Sequence, residues 1–179
     1  MHYSLYLYPE SANTTDESAR SLRQKLVELE IASRMLDKDH YAAGPKLMEY
    51  ITYLGCSPNL QSGEIESSLR IHVFDRMTVI GGTSVETIRY PGCKHPVADV
   101  PALLSGYSAQ SGWQCPECGN QGSFDQINWR KSVGCSKLFL EISAIFPKEA
   151  IPNDNFLDQL HQLSGCNWSW FYSRSSSED

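Results

Sequence analysis

With 179 residues, a net charge of −6, and 41% apolar and 20% charged residues, the chain is long enough for one substantial core and ordinary in composition for a folded protein. The acidic balance argues against non-specific nucleic-acid binding, which needs a basic surface. No run of 18 apolar residues is present to span a membrane.

Residues 1–8 lack the basic and long apolar regions of a secretion signal, so a cytoplasmic protein is expected. Its six cysteines then read as reduced thiols or metal ligands rather than as a disulfide framework.

In chain order, the alternation over 3–8 predicts a strand. Thr14 and Glu17 form a capping box for a helix whose apolar face carries Leu22, Leu26, Leu29, Ala32 or Ser33, and Leu36. Gly44-Pro45 breaks the chain and opens a shorter helix burying Leu47, Tyr50, Ile51 and Leu54, which Gly55 ends. A loop covers 56–63, and 69–75 alternates as a strand with His72 on the face opposite Leu69, Ile71 and Val73. Residues 78–80 and 84–89 suit a hairpin turned at Gly81-Gly82. Residues 124–129 and 137–146 read as strands. Asn153 or Asp154 caps a helix carrying Phe156, Leu157, Leu160 and Leu163 and ended by Gly165. A last strand over 168–172 puts Trp168, Trp170 and Tyr172 on one face, as core, and 174–179 is a polar tail.

The expected fold is one α+β domain over 1–179: a mixed sheet with two or three helices, of ferredoxin-like arrangement. It carries an insertion at 89–122, where apolar residues thin out and Gly, Pro, Ser and Cys accumulate.

That insertion holds the chemistry. Cys115-Pro116-Glu117-Cys118-Gly119 is a tight turn that aims two thiols at one tetrahedral metal. Cys93 and His95 lie upstream at the separation of a second knuckle in a zinc ribbon, giving Cys93, His95, Cys115 and Cys118 as a zinc ligand set. Cys135 competes with His95 for the fourth place, whereas Cys56 and Cys166 follow Gly at helix ends and suit packing as small hydrophobes. A thioredoxin-like role for Cys115 and Cys118 would need a helix starting at the motif, and Gly119-Asn120-Gln121-Gly122 is a poor start for one.

Leu54-Gly55-Cys56-Ser57-Pro58, the strand after it and the cysteine region together resemble an uncharacterised family of small bacterial proteins that carry LGCSP before a two-knuckle zinc ribbon. The resemblance covers roughly residues 50–120 and implies zinc and a cytoplasmic location, with no activity attached. The family's first knuckle reads Arg-Cys-Pro-x-Cys-Arg. Here it is Arg89-Tyr90-Pro91-Gly92-Cys93-Lys94, so Tyr90 stands where a ligand cysteine would be, and His95 is the replacement at hand.

No phosphate loop, nucleophile elbow or zinc-deaminase signature occurs, and no catalytic residue is assigned. His72 and His161 read as surface positions on their elements. The expected function is non-enzymatic: structural zinc in a protein that binds another protein through the surface from Lys94 to Trp113, the acidic balance suiting a basic partner. The first alternative is nucleic-acid binding through Lys94, Arg130, Lys131 and Lys137, which lie in the one mildly basic stretch. The second is a hydrolase with an open zinc site and Glu117 as its base.

Overall fold

The computed structural model describes residues 3–11, 16–54, 60–61, 64–65, 67–82, 87–106, 112–145 and 149–174. The elements run β1 (Tyr3–Pro9), α1 (Asp16–Glu28), β2 (Ala32–Asp37), β3 (His40–Ala43), α2 (Leu47–Tyr50), β4 (Ile51–Tyr53), β5 (Leu60–Gln61), β6 (Glu64–Ile65) and β7 (Ser68–Gly81). They continue with α3 (Val100–Ser105), β8 (Gly112–Gln114), β9 (Gln121–Ser123), a 3-10 turn (Phe124–Gln126), β10 (Val133–Ile145), β11 (Ala150–Pro152), α4 (Asp154–Ser164) and β12 (Trp168–Arg174).

A six-stranded sheet has the order β12-β1-β10-β7-β3-β2, and its registered pairs are all antiparallel. The expected mixed sheet is corrected here. Strands that run parallel, β1 with β7 and β10 with β12, are never neighbours, because each α crossover skips one strand. Along the path β1–α1–β7–β10–α4–β12 the spatial order is fourth, first, third, second.

Alternation sorts side chains to the two faces. Leu5, Leu7, Leu69, Ile71, Leu138, Leu140, Ile142, Trp168 and Tyr172 pack against Leu22 and Leu26 of α1 and Phe156 and Leu160 of α4. Asn153 caps α4 by accepting from the Phe156 amide at 3.0 Å, and Gly165 ends it in the left-handed region at φ 69°.

The first helix stops at Glu28, eight residues short of its expected last contact at Leu36. Glu30 turns left-handed at φ 55°, which lets Ile31 enter the core fully buried, and the chain returns as β2. Gly44 passes close enough that a Cβ there would lie 2.1 Å from the Glu30 carbonyl oxygen. Met35 and Leu36 are thus 62% and 45% exposed on an edge strand. The helix after Gly44-Pro45 is likewise a single turn, and Ile51 continues as strand. At the expected hairpin, 78–81 extend β7 along β10 and Arg89 bridges Pro96, while 83–86, which include half of its far arm, lie outside the described residues. Residues 124–129 form the 3-10 turn and loop, not a strand. Thr14, the stretch Gly55 to Pro58 and the tail after Arg174 lie outside the described residues.

β7 and β10 outrun the sheet. Their register slips where residues 74–77 stand opposite Lys137 alone, and such a bulge bends a ladder. The far end folds over the helix-free face, where Ile80 and Phe74 join Tyr6, Phe139 and Phe171 in a second, aromatic core. Tyr6 stacks on Phe171 at 5.1 Å, and Phe139 meets Phe171 edge-on at 6.2 Å. The Tyr172 amide donates to the Lys131 carbonyl at 3.0 Å, tying the outer edge of β12 to the approach to β10.

Beside these rings lies a polar network. Glu141 accepts from Ser4 at 2.6 Å and pairs with His72 Nε2 at 2.7 Å. Burial pushes the Glu141 carboxyl up, but the His72 and Ser4 hydrogen bonds outweigh it and hold the group below its usual 4.5. Arg70 approaches His40 Nδ1 at 3.3 Å, leaving the ring proton on Nε2 to donate to Ser68 Oγ at 2.8 Å. Burial, with Arg70, holds His40 below its ordinary 6.5.

Two tests follow from this geometry. A Cβ on Gly134 would sit 2.3 Å from Phe171 Cε1. Gly134→Ala is therefore expected to lose about 1–3 kcal/mol in urea unfolding, against about 3–5 kcal/mol for Phe139→Ala. An unchanged midpoint for Gly134→Ala would mean that the β7/β10 end does not fold over the sheet.

The network fixes the pH response. His40 is held neutral in the fold, so stability is lost as pH falls from 6.5 toward its lower folded value. Glu141 adds a second loss as pH falls from 4.5 through its depressed value. Urea midpoints against pH should show both limbs, with His40→Gln flattening the upper and Glu141→Gln the lower. A flat profile in either range contradicts the assignment for that residue.

Candidate metal centre

The chain between β7 and β10 has a separate small core. Ile88, Tyr90, Val97, Val100, Trp113, Cys115, Phe124 and Ile127 are buried together. Regular structure among its described residues is sparse: one six-residue helix, capped by Asp99 accepting from the Ala102 amide at 2.9 Å, the three-residue strands β8 and β9, and the 3-10 turn.

Two turns converge at one end of this core. In the first, the Tyr90 amide donates to the His95 carbonyl at 2.9 Å and the Lys94 amide to the Tyr90 carbonyl at 3.1 Å. Gly92 and Lys94 take the left-handed conformation at φ 80° and 59°. The second turn tops the β8–β9 hairpin: the Cys115 amide donates to the Asn120 carbonyl at 2.7 Å and the Gly119 amide to the Cys115 carbonyl at 2.9 Å. Gly119, at φ 75°, makes that reversal without Cβ strain. Gly92 faces Asn120 across the gap, so the turn tips oppose each other.

The four expected ligands meet there. One ligand atom each from Cys93, His95, Cys115 and Cys118 lies within 4.8 Å of all the others. His95 Nδ1 is 3.6 Å from Cys115 Sγ. Zinc–sulfur bonds of about 2.3 Å and zinc–nitrogen bonds of about 2.0–2.1 Å set tetrahedral edges near 3.5–3.8 Å. The cluster therefore fits a metal ion with small adjustment.

The electrostatics suit a cation. Burial pushes the Cys115 thiol up, but the Cys118 and Glu117 amides and His95 outweigh it and bring it down to about 6. The Asn120 amide pulls Cys118 down, yet burial and the adjacent Cys93 and Cys115 thiols leave it above its ordinary value. One thiol drawn down while its neighbour is pushed up is the behaviour of close sulfurs whose charge a cation would neutralise.

Cys115 is 1% exposed beneath Tyr90 and Trp113, whose rings sit 5.4 Å apart. Trp113 Nε1 donates to the Ser123 carbonyl at 2.9 Å. Trp113 therefore belongs to the small core, which corrects its place in the expected partner surface. The solvent-facing residues of the turns are Gly92, Lys94, Pro116, Glu117, Cys118, Gly119 and Asn120.

Cys135 lies on β10 opposite Val79 and is not part of the cluster. Cys166 is half-exposed, its thiol 3.3 Å from Ser164 Oγ, rather than packed as a small hydrophobe. Cys56 is outside the described residues. No helix starts at Cys115, so a thioredoxin-like activation of the pair is absent. Lys131 is engaged: its ammonium lies over the Trp170 ring, 3.1 Å from the centroid.

The sequence reading missed Asn120 as a clamp on both cysteines of the second turn, and Tyr90 as closing the first. The signal for Asn120 was its position just past the Cys-Gly end of a knuckle. Tyr90 was singled out only as a missing ligand.

No protein-family model, curated protein or solved structure matches this chain.

One metal ion per chain is expected in the purified protein by elemental analysis. Substitution by Ser at Cys93, Cys115 or Cys118, or by Ala at His95, should sharply lower that content, while Cys135→Ser and Cys166→Ser should leave it unchanged. Loss in Cys135→Ser with retention in His95→Ala would replace His95 in the ligand set.

Proposed function

We propose that the ion is zinc, that its role is structural, and that the frame is a ferredoxin-like α+β domain presenting a zinc-ribbon-like insertion to a protein partner. The observation that carries this reading is the convergence of three sulfurs and one imidazole from two turns on a single point. Thiolate-rich sets favour zinc among the divalent ions of the cell, with cluster iron as the competitor. Four protein ligands complete a tetrahedron and leave no position for an attacking water, which argues against the hydrolase alternative. Glu117 lies exposed between two ligands.

The need for a metal is physical. The stretch from 88 to 129 is about forty residues, a size at which metals or disulfides usually supplement the core. Its buried cluster is small and two of its strands are three residues long. The strand path β1–α1–β7–β10–α4–β12 supports the ferredoxin-like reading, with the insertion placed between the second and third strands of that path.

Protein binding is favoured over nucleic acid by the net charge of −6 and by the engagement of Lys131 on Trp170. Among the described residues no helix is long and apolar enough to cross a membrane.

Hydrogen exchange with and without a zinc chelator tests the structural role. Amides of residues 88–129 should lose protection while β1, β10 and β12 keep theirs. Unchanged exchange in the cysteine turns would contradict the reading, and so would collapse of the whole sheet.

A further inference from the structure

Between the small core and the end of the sheet is a cavity of about 330 Å³ that none of the four metal ligands lines. Three parts of the fold wall it: Tyr8 from β1, Met77 and Cys135 from the far ends of β7 and β10, and Leu104 and Trp129 from the insertion. Its size falls at the lower end of the range for small-molecule sites, which suits a ligand built on one ring rather than a nucleotide.

The walls are held in place before any ligand arrives. Trp129 lies parallel to Phe124 with centroids 6.3 Å apart, and its Nε1 donates to the Phe124 carbonyl at 3.2 Å. Tyr8 sits 5.8 Å from both Phe139 and Phe171 in the aromatic core. Leu104 is seated over Gly82, where a Cβ would come within 2.4 Å of its Cδ1. Such preorganisation lowers the entropy lost on binding.

The charge of the lining has one sign. Glu10 and Asp125 are present, and among the described residues no Lys, Arg or His lines the cavity. Glu10 also accepts a hydrogen bond from Ser169, which fixes its carboxylate at the mouth. Aromatic faces with two carboxylates attract a cation that has an apolar body, and they repel anionic metabolites and fatty acids. We propose that this cavity binds a small organic cation, a primary or substituted ammonium carrying one aromatic or branched aliphatic group.

Cys135 is half-buried and lines the cavity, so its thiol reports on occupancy. The metal-loaded protein would be alkylated slowly by iodoacetamide, and each cysteine read separately by peptide mass mapping. Phenethylammonium chloride and sodium phenylacetate would be titrated as probes of similar shape and opposite charge. Saturable slowing at Cys135 by phenethylammonium alone is expected, with Cys166, which does not line the cavity, unaffected. Glu10→Gln and Asp125→Asn should each weaken that protection about fivefold, the upper end for an exposed charge pair. Asp125 is exposed, so its replacement leaves folding intact. Equal protection by both probes, none by either, or protection indifferent to both substitutions would overturn the proposal.

Discussion

The antiparallel ladder between β7 and β10 is the constraint on which the rest of this structure hangs. At one end, the Leu69–Ile142 and Ile71–Leu140 pairs place apolar side chains under α1 and α4. At the other, Gly81 opposite Val133 fixes the two chain ends from which the cysteine-bearing segment springs. Between them the slip at residues 74–77 bends the pair over its own sheet and makes the second, aromatic core. One ladder thus sets the main core, closes the second face and positions the metal turns. The exposed edge that an open antiparallel sheet would leave at β12 is partly satisfied through the Lys131 carbonyl.

The cysteine segment obeys a different balance. It buries eight residues and has little regular structure, so its ordering entropy is poorly offset by apolar burial. Ligand bonds would supply what burial does not, because a metal that binds only the ordered form adds its binding free energy to folding. The geometry of the turns suits such an ion. In the second turn, reversed at Gly119, the Glu117 and Cys118 amides point at the Cys115 sulfur and draw its thiol down. The same turns put Lys94, Pro116, Glu117 and Asn120 outside while the sulfur of Cys115 stays covered.

Much of this was legible in the sequence, and the failures have physical causes. Alternation identified β1, the start of β7, most of β10 and β12, and Asn153 with Gly165 bounded α4 because caps are local chemistry. The convergence of Cys93, His95, Cys115 and Cys118 was legible from residue type and spacing, since the demands of a tetrahedral site are few. The helix from Asp16 was overextended because Leu29, Ala32 and Leu36 continue a 3.6 period by coincidence, while burial of Ile31 decided where the chain turned. A mixed sheet was expected because strand–helix–strand order implies parallel direction without saying which strand lies between. Trp129 had no visible role and Cys135 only that of a competing ligand, because a cavity between two parts of the fold leaves no periodic trace in either.

X-ray absorption at the zinc edge of the purified protein addresses the central claim most directly. The account requires three sulfurs at about 2.3 Å and one nitrogen at about 2.0–2.1 Å, with the nitrogen lost in His95→Ala. A shell of four sulfurs, an oxygen-dominated shell, or a protein that takes up no zinc would contradict it.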